Sequence, residues 1–402
     1  MTGVPVVISS WSGVRDAFRR KDLRQALYDD SQAVMGDCLL VLHGDAHRAR
    51  RRLENRLFRR EVFAYWEHDV LGPTIGEALQ PFVLAGRGDL VPIGYRTTMN
   101  LTAFIAGVDR PTRSAEETET LYRLVRTFSE GATAVHSTRD RAALEADVGA
   151  ALEVFDARFL RPSIERRRAL LDAAERGEVD ELDLPADVLT TLLTNVDQLE
   201  LSDDVVRREI AFYLQAGSHS TANAFTHTVD ELFTRARPDD LERARNDRTF
   251  LQRCVHETLR LHPASPVAWR RPLGPATLSD GTDVTAEDLI VLDLVAANSS
   301  PELFGPDAAE WNPHREIDSG ATAWGHSFGG GVHACIGMEL DGGLEHDPDR
   351  SASEHLFGTV TVMVDAFLAA GGRPDPDSPA VLDPTSSRPH FSAYPVLFGA
   401  DR

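Results

Sequence analysis

From Ser202 to about Arg237 the chain reads as one uninterrupted helix. Ser202 is a good N-cap, Asp203 and Asp204 suit the positive end of the helix dipole, and Pro238 ends the run. At 1.5 Å per residue, roughly 35 residues make a rod of about 50 Å. Such a rod is unusual in a globular protein and has to be surrounded. The 402 residues, 42% hydrophobic and 26% charged, suffice for one large core or two ordinary domains. At the centre of the rod lies Ala216-Gly217-Ser218-His219-Ser220-Thr221, a small pair followed by polar groups. His219 can carry protons near neutral pH, or it can simply hydrogen-bond a neighbouring helix. Ser220 donates like threonine but lacks the methyl that restricts its rotamer, and Thr221 could supply the hydroxyl if the register shifts by one.

The second constraint is Phe328-Gly329-Gly330-Gly331-Val332-His333-Ala334-Cys335-Ile336-Gly337. A thiolate that binds a metal needs backbone N–H groups aimed at its sulfur, and glycines let the chain fold back closely enough to supply them. Phe328, seven residues before the cysteine, can lie under a flat cofactor, and Gly337 leaves room beside a large planar ligand. The alternative is a glycine-rich surface turn holding a structural cysteine. Cys38, Cys254 and Cys335 are too few for a disulfide framework and too scattered for a zinc site, which points to a reducing cytoplasm. A net charge of −21 argues against nucleic-acid binding. Met1 to Ser10 lacks a basic leader, and no run is long enough to span a bilayer.

The pattern Phe-x-x-Gly-x-x-x-Cys-x-Gly, with His333 two residues before Cys335, resembles the haem-thiolate loop of the cytochrome P-450 family, in particular its soluble bacterial members. Four further elements follow the family's order. His47 and Arg51 share one face of a helix capped by Asp45, and the pair resembles the family's His-x-x-x-Arg element. The resemblance implies that these two hold haem propionates, with Arg48, Arg50 and Arg52 facing solvent on a proximal surface where a small acidic redox protein docks. The rod resembles the helix that crosses the distal haem face. There the family reads Ala/Gly-Gly-x-acid-Thr, the small pair (here Ala216 and Gly217) opening a kink or groove for dioxygen. This chain has His219 in place of the acid and Ser220 in place of the threonine. Glu257 and Arg260 resemble the Glu-x-x-Arg helix, with Arg315 as the expected third member of a buried structural triad. One of Arg270 and Arg271 falls where the family puts another propionate-binding arginine, and the sequence leaves the choice open.

The resemblance therefore implies a mainly α-helical domain, residues 1–402, of the cytochrome P-450 fold with a small β-region. Thr277 to Val295 reads as sheet, Val381 to Phe398 as paired short strands, and Phe128 to His136 falls on the substrate-facing roof. The family's leading helix and strand are missing or shortened. After Leu340, Asp341-Gly342-Gly343 and Pro348 interrupt the helix that normally follows the cysteine, so an insertion of about ten residues is expected near 341–352, with helix resuming near Ser353. The implied cofactor is haem b, bound without covalent attachment, with Cys335 as proximal thiolate. The implied activity is oxidation of a small organic, biosynthetic metabolite, in the manner of a monooxygenase, with dioxygen and electrons from a ferredoxin-type donor. His219, Ser220 and Thr221 are the candidate proton-handling residues. Two alternatives stand beside it: a haem-thiolate enzyme that uses peroxide or performs rearrangement, dehydration or coupling, and a non-catalytic haem- or ligand-binding protein.

Overall fold

The computed structural model describes residues 4–317, 320–347, 351 and 354–399. The rod is a single helix, Asp203–Thr234, and the Ser202 hydroxyl accepts from the Val205 amide at its start. Ile210, Leu214, Ser218, Thr221, Phe225 and Val229 are all buried, which makes it the axis of the main core. A helix apolar on several sides has to be packed on several sides. The Leu90–Ala106 helix lies against it most closely. Small residues permit that approach: a Cβ on Gly217 would stand 2.6 Å from Thr102 Cγ2, and one on Gly94 3.3 Å from the Ala222 Cβ. Thr98 and Thr102 then reach across with their hydroxyls to the carbonyls of Ser218 and Leu214, at 3.2 and 3.3 Å. Gly217 thus serves a helix–helix contact. The helix runs through Ala216 and Gly217, the place where a kink or groove is expected, and both residues are half-buried.

The β-region is small, as the sequence implies. A four-stranded sheet has the order Val6–Ile8, Ile290–Asp293, Val267–Pro272, Leu23–Gln25; its first pair is parallel and the others antiparallel. The stretch expected as sheet from Thr277 onward divides into the hairpin Ala276–Thr277 with Asp283–Val284 and the strand Ile290–Asp293, after which Leu294–Asn298 is helical. The tail forms the pairs expected of it, Val381–Leu382 with Phe391–Ala393, while Pro395–Leu397 joins a second sheet. Among the described residues no helix is long and apolar enough to cross a membrane.

The helix after Cys335 is interrupted. A four-residue piece, Met338–Asp341, is followed by a loop, and helix returns at Thr359–Ala369. Residues 348–350 and 352 of the expected insertion, and Ser353, where helix was expected to resume, lie outside the described residues. The loop's two ends are pinched together. Leu344 N–H donates to the Leu356 carbonyl at 2.8 Å and the Thr359 hydroxyl to the Leu340 carbonyl at 3.0 Å. Gly343 and Gly358 have φ of +75° and +85°, which side chains with a Cβ rarely adopt, and a Cβ on either would overlap the opposite strand of the pinch. From outside, Glu67 accepts from the amides of Phe357 and Gly358 at 3.0 and 2.9 Å, and Gln252 donates to the Leu356 and Phe357 carbonyls. Helix resumes at Thr359, six residues later than Ser353, after this pinch.

Candidate functional site

The platform beneath the glycine loop is a buried ion-pair cluster. On the Arg248–Leu261 helix, Arg260 donates to both oxygens of Glu257, at 2.8 and 2.7 Å. Arg315 Nε donates to the same carboxylate at 3.1 Å, and its Nη1 reaches Asp307 at 2.6 Å. Arg260 also donates to the carbonyls of Asn298 and Ala308. The three residues named from the sequence therefore meet. Asn298 carries the cluster on toward the loop: it donates to Ser327 Oγ at 3.1 Å and accepts from the His326 amide at 2.7 Å.

The loop itself is tight. Gly329 and Gly331 have φ of +68° and +63°, and a Cβ on Gly331 would overlap the Phe18 carbonyl at the end of the Trp11–Arg19 helix. Cys335 N–H donates to the Phe328 carbonyl at 2.9 Å, which closes the turn. Phe328 packs edge-on against Trp324, with ring centroids 5.6 Å apart. Cys335 is exposed, yet burial pushes its thiol up to about 11, against the Gly337 amide, which acts the other way. Its side chain is thus open to solvent although many protein atoms lie around it. A thiol there stays protonated unless a cation sits at the sulfur.

Beside the loop, polar groups converge without partners. The rings of His47 and His333 lie 4.3 Å apart, and the buried Nε2 of each has no hydrogen-bond partner among the described residues. Burial lowers the His333 pKa to about 3. Arg51 donates to the Ala334 carbonyl at 2.9 Å. Arg270 is buried under the Phe18 ring, donates to Gln25 Oε1 at 2.7 Å, and faces no acid among the described residues; desolvation drops its pKa to about 10. Arg271 points to the other side of the strand, as neighbours in a strand must, and pairs with Asp29 at 3.5 Å. Arg50, expected to face solvent with Arg48 and Arg52, is instead buried against Glu209 at 2.7 Å, because its position on the Gly44–Glu54 helix turns it toward the long helix. The sulfur, two orphaned imidazole nitrogens and an acid-free guanidinium are a donor set that fits an iron porphyrin with two carboxylate arms.

On the long helix the three candidate proton-handling residues diverge. Ser220 Oγ donates to the Ala216 carbonyl of its own helix at 2.9 Å. Thr221 Oγ1 donates to Asp341 Oδ1 at 2.7 Å, and burial lifts that carboxyl to about 6. His219 Nδ1 faces the Tyr95 hydroxyl, and Asn223 Nδ2 stands 3.4 Å from the same nitrogen. Burial holds His219 neutral, well below the ordinary imidazole value. Sequence reasoning missed Asp341, Tyr95, Tyr28 and Arg388. Asp341 was read only as a helix breaker, and the other three come from elements far apart in the chain. Tyr28, raised by burial, is within electrostatic reach of Arg388, Arg270 and Cys335, so it joins the two halves of the site.

A family model described as Cytochrome P450 matches residues 225–340, the span holding Glu257, Arg260, Arg315 and Cys335. Cytochrome P450 monooxygenase PikC of Streptomyces venezuelae is 33% identical over 42% of this chain and 38% of its own length. Pulcherriminic acid synthase of Bacillus subtilis is 26% identical over 82% of this chain and 77% of its own length. Among solved structures, P450BioI in complex with hexadec-9Z-enoic acid ligated acyl carrier protein aligns over 98% of this chain and 92% of that one, with a TM-score of 0.73 at 16% identity. CalO2 aligns over 98% and 90%, with the same TM-score at 18% identity. The matched stretch spans well under half of PikC, while the structural likeness extends the fold to nearly the whole chain. With the thiol loop, the buried triad and the long helix in one arrangement, residues 225–340 match the cytochrome P450 family and nearly the whole chain has the cytochrome P450 fold.

Proposed function

We propose that the protein is a haem-thiolate monooxygenase that oxidises a small organic molecule with dioxygen, taking electrons from a separate ferredoxin-type donor. The cofactor in this reading is haem b, with Cys335 as its sulfur ligand and His47, Arg51, Arg270 and His333 on its propionates. The carrying observation is an exposed Cys335 on the glycine loop together with His47 Nε2 and His333 Nε2 without partners and a buried Arg270 without an acidic partner among the described residues. When bound, the haem supplies the oxidising chemistry at its iron. The chain supplies the rest. Gly337 N–H favours charge on the sulfur, Arg270 neutralises a carboxylate arm, and the Glu257–Arg260–Arg315 cluster keeps the loop in position. Thr221 Oγ1 and Asp341 can hold a proton near neutral pH beside the long helix, a task the family gives to an acid that this chain lacks. Exposed Arg48 and Arg52 on the Gly44–Glu54 helix suit an acidic electron donor. The reduced carbon monoxide complex tests the reading: wild type should give the red-shifted Soret band of thiolate ligation and Cys335→Ala should lose it, whereas a variant that keeps the band refutes the assignment.

One observation favours a second reading, turnover with peroxide. Ser220, which stands at the family's threonine position, spends its hydroxyl on the Ala216 carbonyl. Product formed with hydrogen peroxide but none with reductant and dioxygen would select that reading; the converse would select monooxygenation. Tight ligand binding with no product under either regime would leave a binding protein.

A further inference from the structure

A polar cavity of about 150 Å³ lies beside the middle of the long helix, lined by Tyr95, Arg126, His136, His219, Arg388 and His390 among others. Its walls come from the Ala115–Ala132 helix and the turn after it, the long helix, and the Val381–Ala393 hairpin. We propose that this cavity selects an organic monoanion, a carboxylate, whose charged group docks on Arg388 and Arg126 while His219 and His390 complete its hydrogen bonds. The proposal rests on the oxidation reading of the same site and names its substrate class.

Arg388 carries the argument. It is 6% exposed and has no acidic partner within ion-pair distance among the described residues. Its Nη1 donates to the Ala264 carbonyl at 3.2 Å and its Nη2 to Thr133 Oγ1 at 3.0 Å, both neutral acceptors, and its Nε has no partner. A buried guanidinium in that state is costly unless an anion completes it. Two residues that line the cavity each carry a further buried nitrogen without a partner among the described residues, His219 Nε2 and His390 Nδ1. The Tyr95 hydroxyl lies beside His219 Nδ1, and Asn223 Nδ2, which donates to the His219 carbonyl at 2.7 Å, stands 3.4 Å from the same nitrogen; in the tautomer where Nδ1 accepts from Tyr95, the ring proton is on Nε2 and has no acceptor among the described residues. Arg126 sits 4.9 Å over the Tyr95 ring, donates to the Tyr122 hydroxyl, and likewise has no acid at ion-pair distance among the described residues.

The charges around the cavity set the valence of the guest. Glu130 is taken by Arg139 at 2.9 Å and by the Ser137 hydroxyl, and Asp383 by its own turn through the Thr385 amide and hydroxyl. Both still oppose a second negative charge. His136, His219 and His390 are held neutral by burial and by Arg388, so they offer hydrogen bonds but no charge. Two arginines, two engaged acids and neutral imidazoles suit a carboxylate better than a dianion such as a phosphate monoester.

The test is calorimetric titration of the haem-loaded protein at pH 7.5 with octanoate and its neutral isostere octanamide. Octanoate should bind at least about tenfold more tightly, and Arg388→Gln should erase that preference while changing octanamide affinity little. Arg126→Gln, at a half-buried position, should weaken octanoate by a smaller factor. Equal affinities in the wild type, no octanoate binding at millimolar concentration, or a preference that survives both substitutions would overturn the proposal. The wild-type comparison needs no variant, so it decides even if Arg388→Gln fails to fold. A normal thiolate Soret band with no preference sinks this proposal alone; loss of the thiolate assignment sinks the oxidation reading instead.

Discussion

The floor of the site and its two open edges are built on opposite plans. Beneath the loop, Glu257, Arg260 and Arg315 sit at low exposure with the carboxylate fully engaged and the guanidinium donors spent on Asp307 and on backbone carbonyls. Around the glycine loop and the polar cavity, Arg270, Arg388, His47, His333, His219 and His390 are buried or half-buried, yet keep polar atoms or charges with no counterpart among the described residues. Single unpartnered atoms occur elsewhere too, as at Ser31, Thr190 and Thr361, but here several buried cationic or imidazole groups without partners lie together. The satisfied network is scaffold. The open ones are complementary to something that is not polypeptide.

That contrast can be broken first at the floor. Glu257→Ala would strand two buried guanidinium groups and should cost roughly 3–5 kcal/mol, read as a lowered midpoint in denaturant unfolding. A loss below 1 kcal/mol would mean the cluster is not the platform described.

A second effect concerns Asp341. Its carboxyl is raised to about 6 in the folded protein from an ordinary value of 3.8, so the folded state holds the proton more tightly than the unfolded chain does. The protonated form therefore favours folding: this contribution is largest below about pH 4 and is lost as pH rises through about 6. Relative to wild type, Asp341→Asn should gain up to about 3 kcal/mol between pH 4 and pH 7. A difference that stays flat with pH would remove the buried-carboxyl account.

A third comparison sharpens the assignment of the two adjacent arginines. Arg270→Gln should release haem more readily on competition with an apoprotein acceptor, by a factor of about ten, matching loss of one charged hydrogen bond. Arg271→Gln removes a half-exposed pair with Asp29 and should change haem retention little and stability by at most about 1 kcal/mol. Equal effects at the two positions would contradict the strand alternation that separates them. The smallest expected effect is at Ser220. Because its hydroxyl already serves Ala216, Ser220→Ala should leave peroxide release per electron consumed nearly unchanged. A marked rise would restore Ser220 as a proton carrier.

What could be read in the sequence was local. The cap at Ser202, the Glu257–Arg260 spacing and the glycines before Cys335 act within a turn or a loop, so their pattern is their mechanism. Arg315 was legible only through resemblance, since its contact with Glu257 spans 58 residues. Three things escaped. Choosing Arg270 over Arg271 needed the pairing of Arg270 with Gln25 across the sheet, which only tertiary structure supplies. The close approach that Gly217 permits was not legible, because the side chain it admits, Thr102, is on a neighbouring helix. The Tyr95, Arg126, His219 and Arg388 cluster draws on separate segments, each unremarkable alone. The break in helix after Leu340 was signalled by the paired glycines, but the pinch that follows depends on Glu67 and Gln252 from elsewhere.

Everything rests on what the Cys335 sulfur faces. X-ray absorption at the iron edge of the haem-loaded protein reads that directly. A single sulfur neighbour at bonding distance in the wild type, absent in Cys335→Ala, is the expected result. An iron shell of nitrogen and oxygen alone in the wild type would contradict the account.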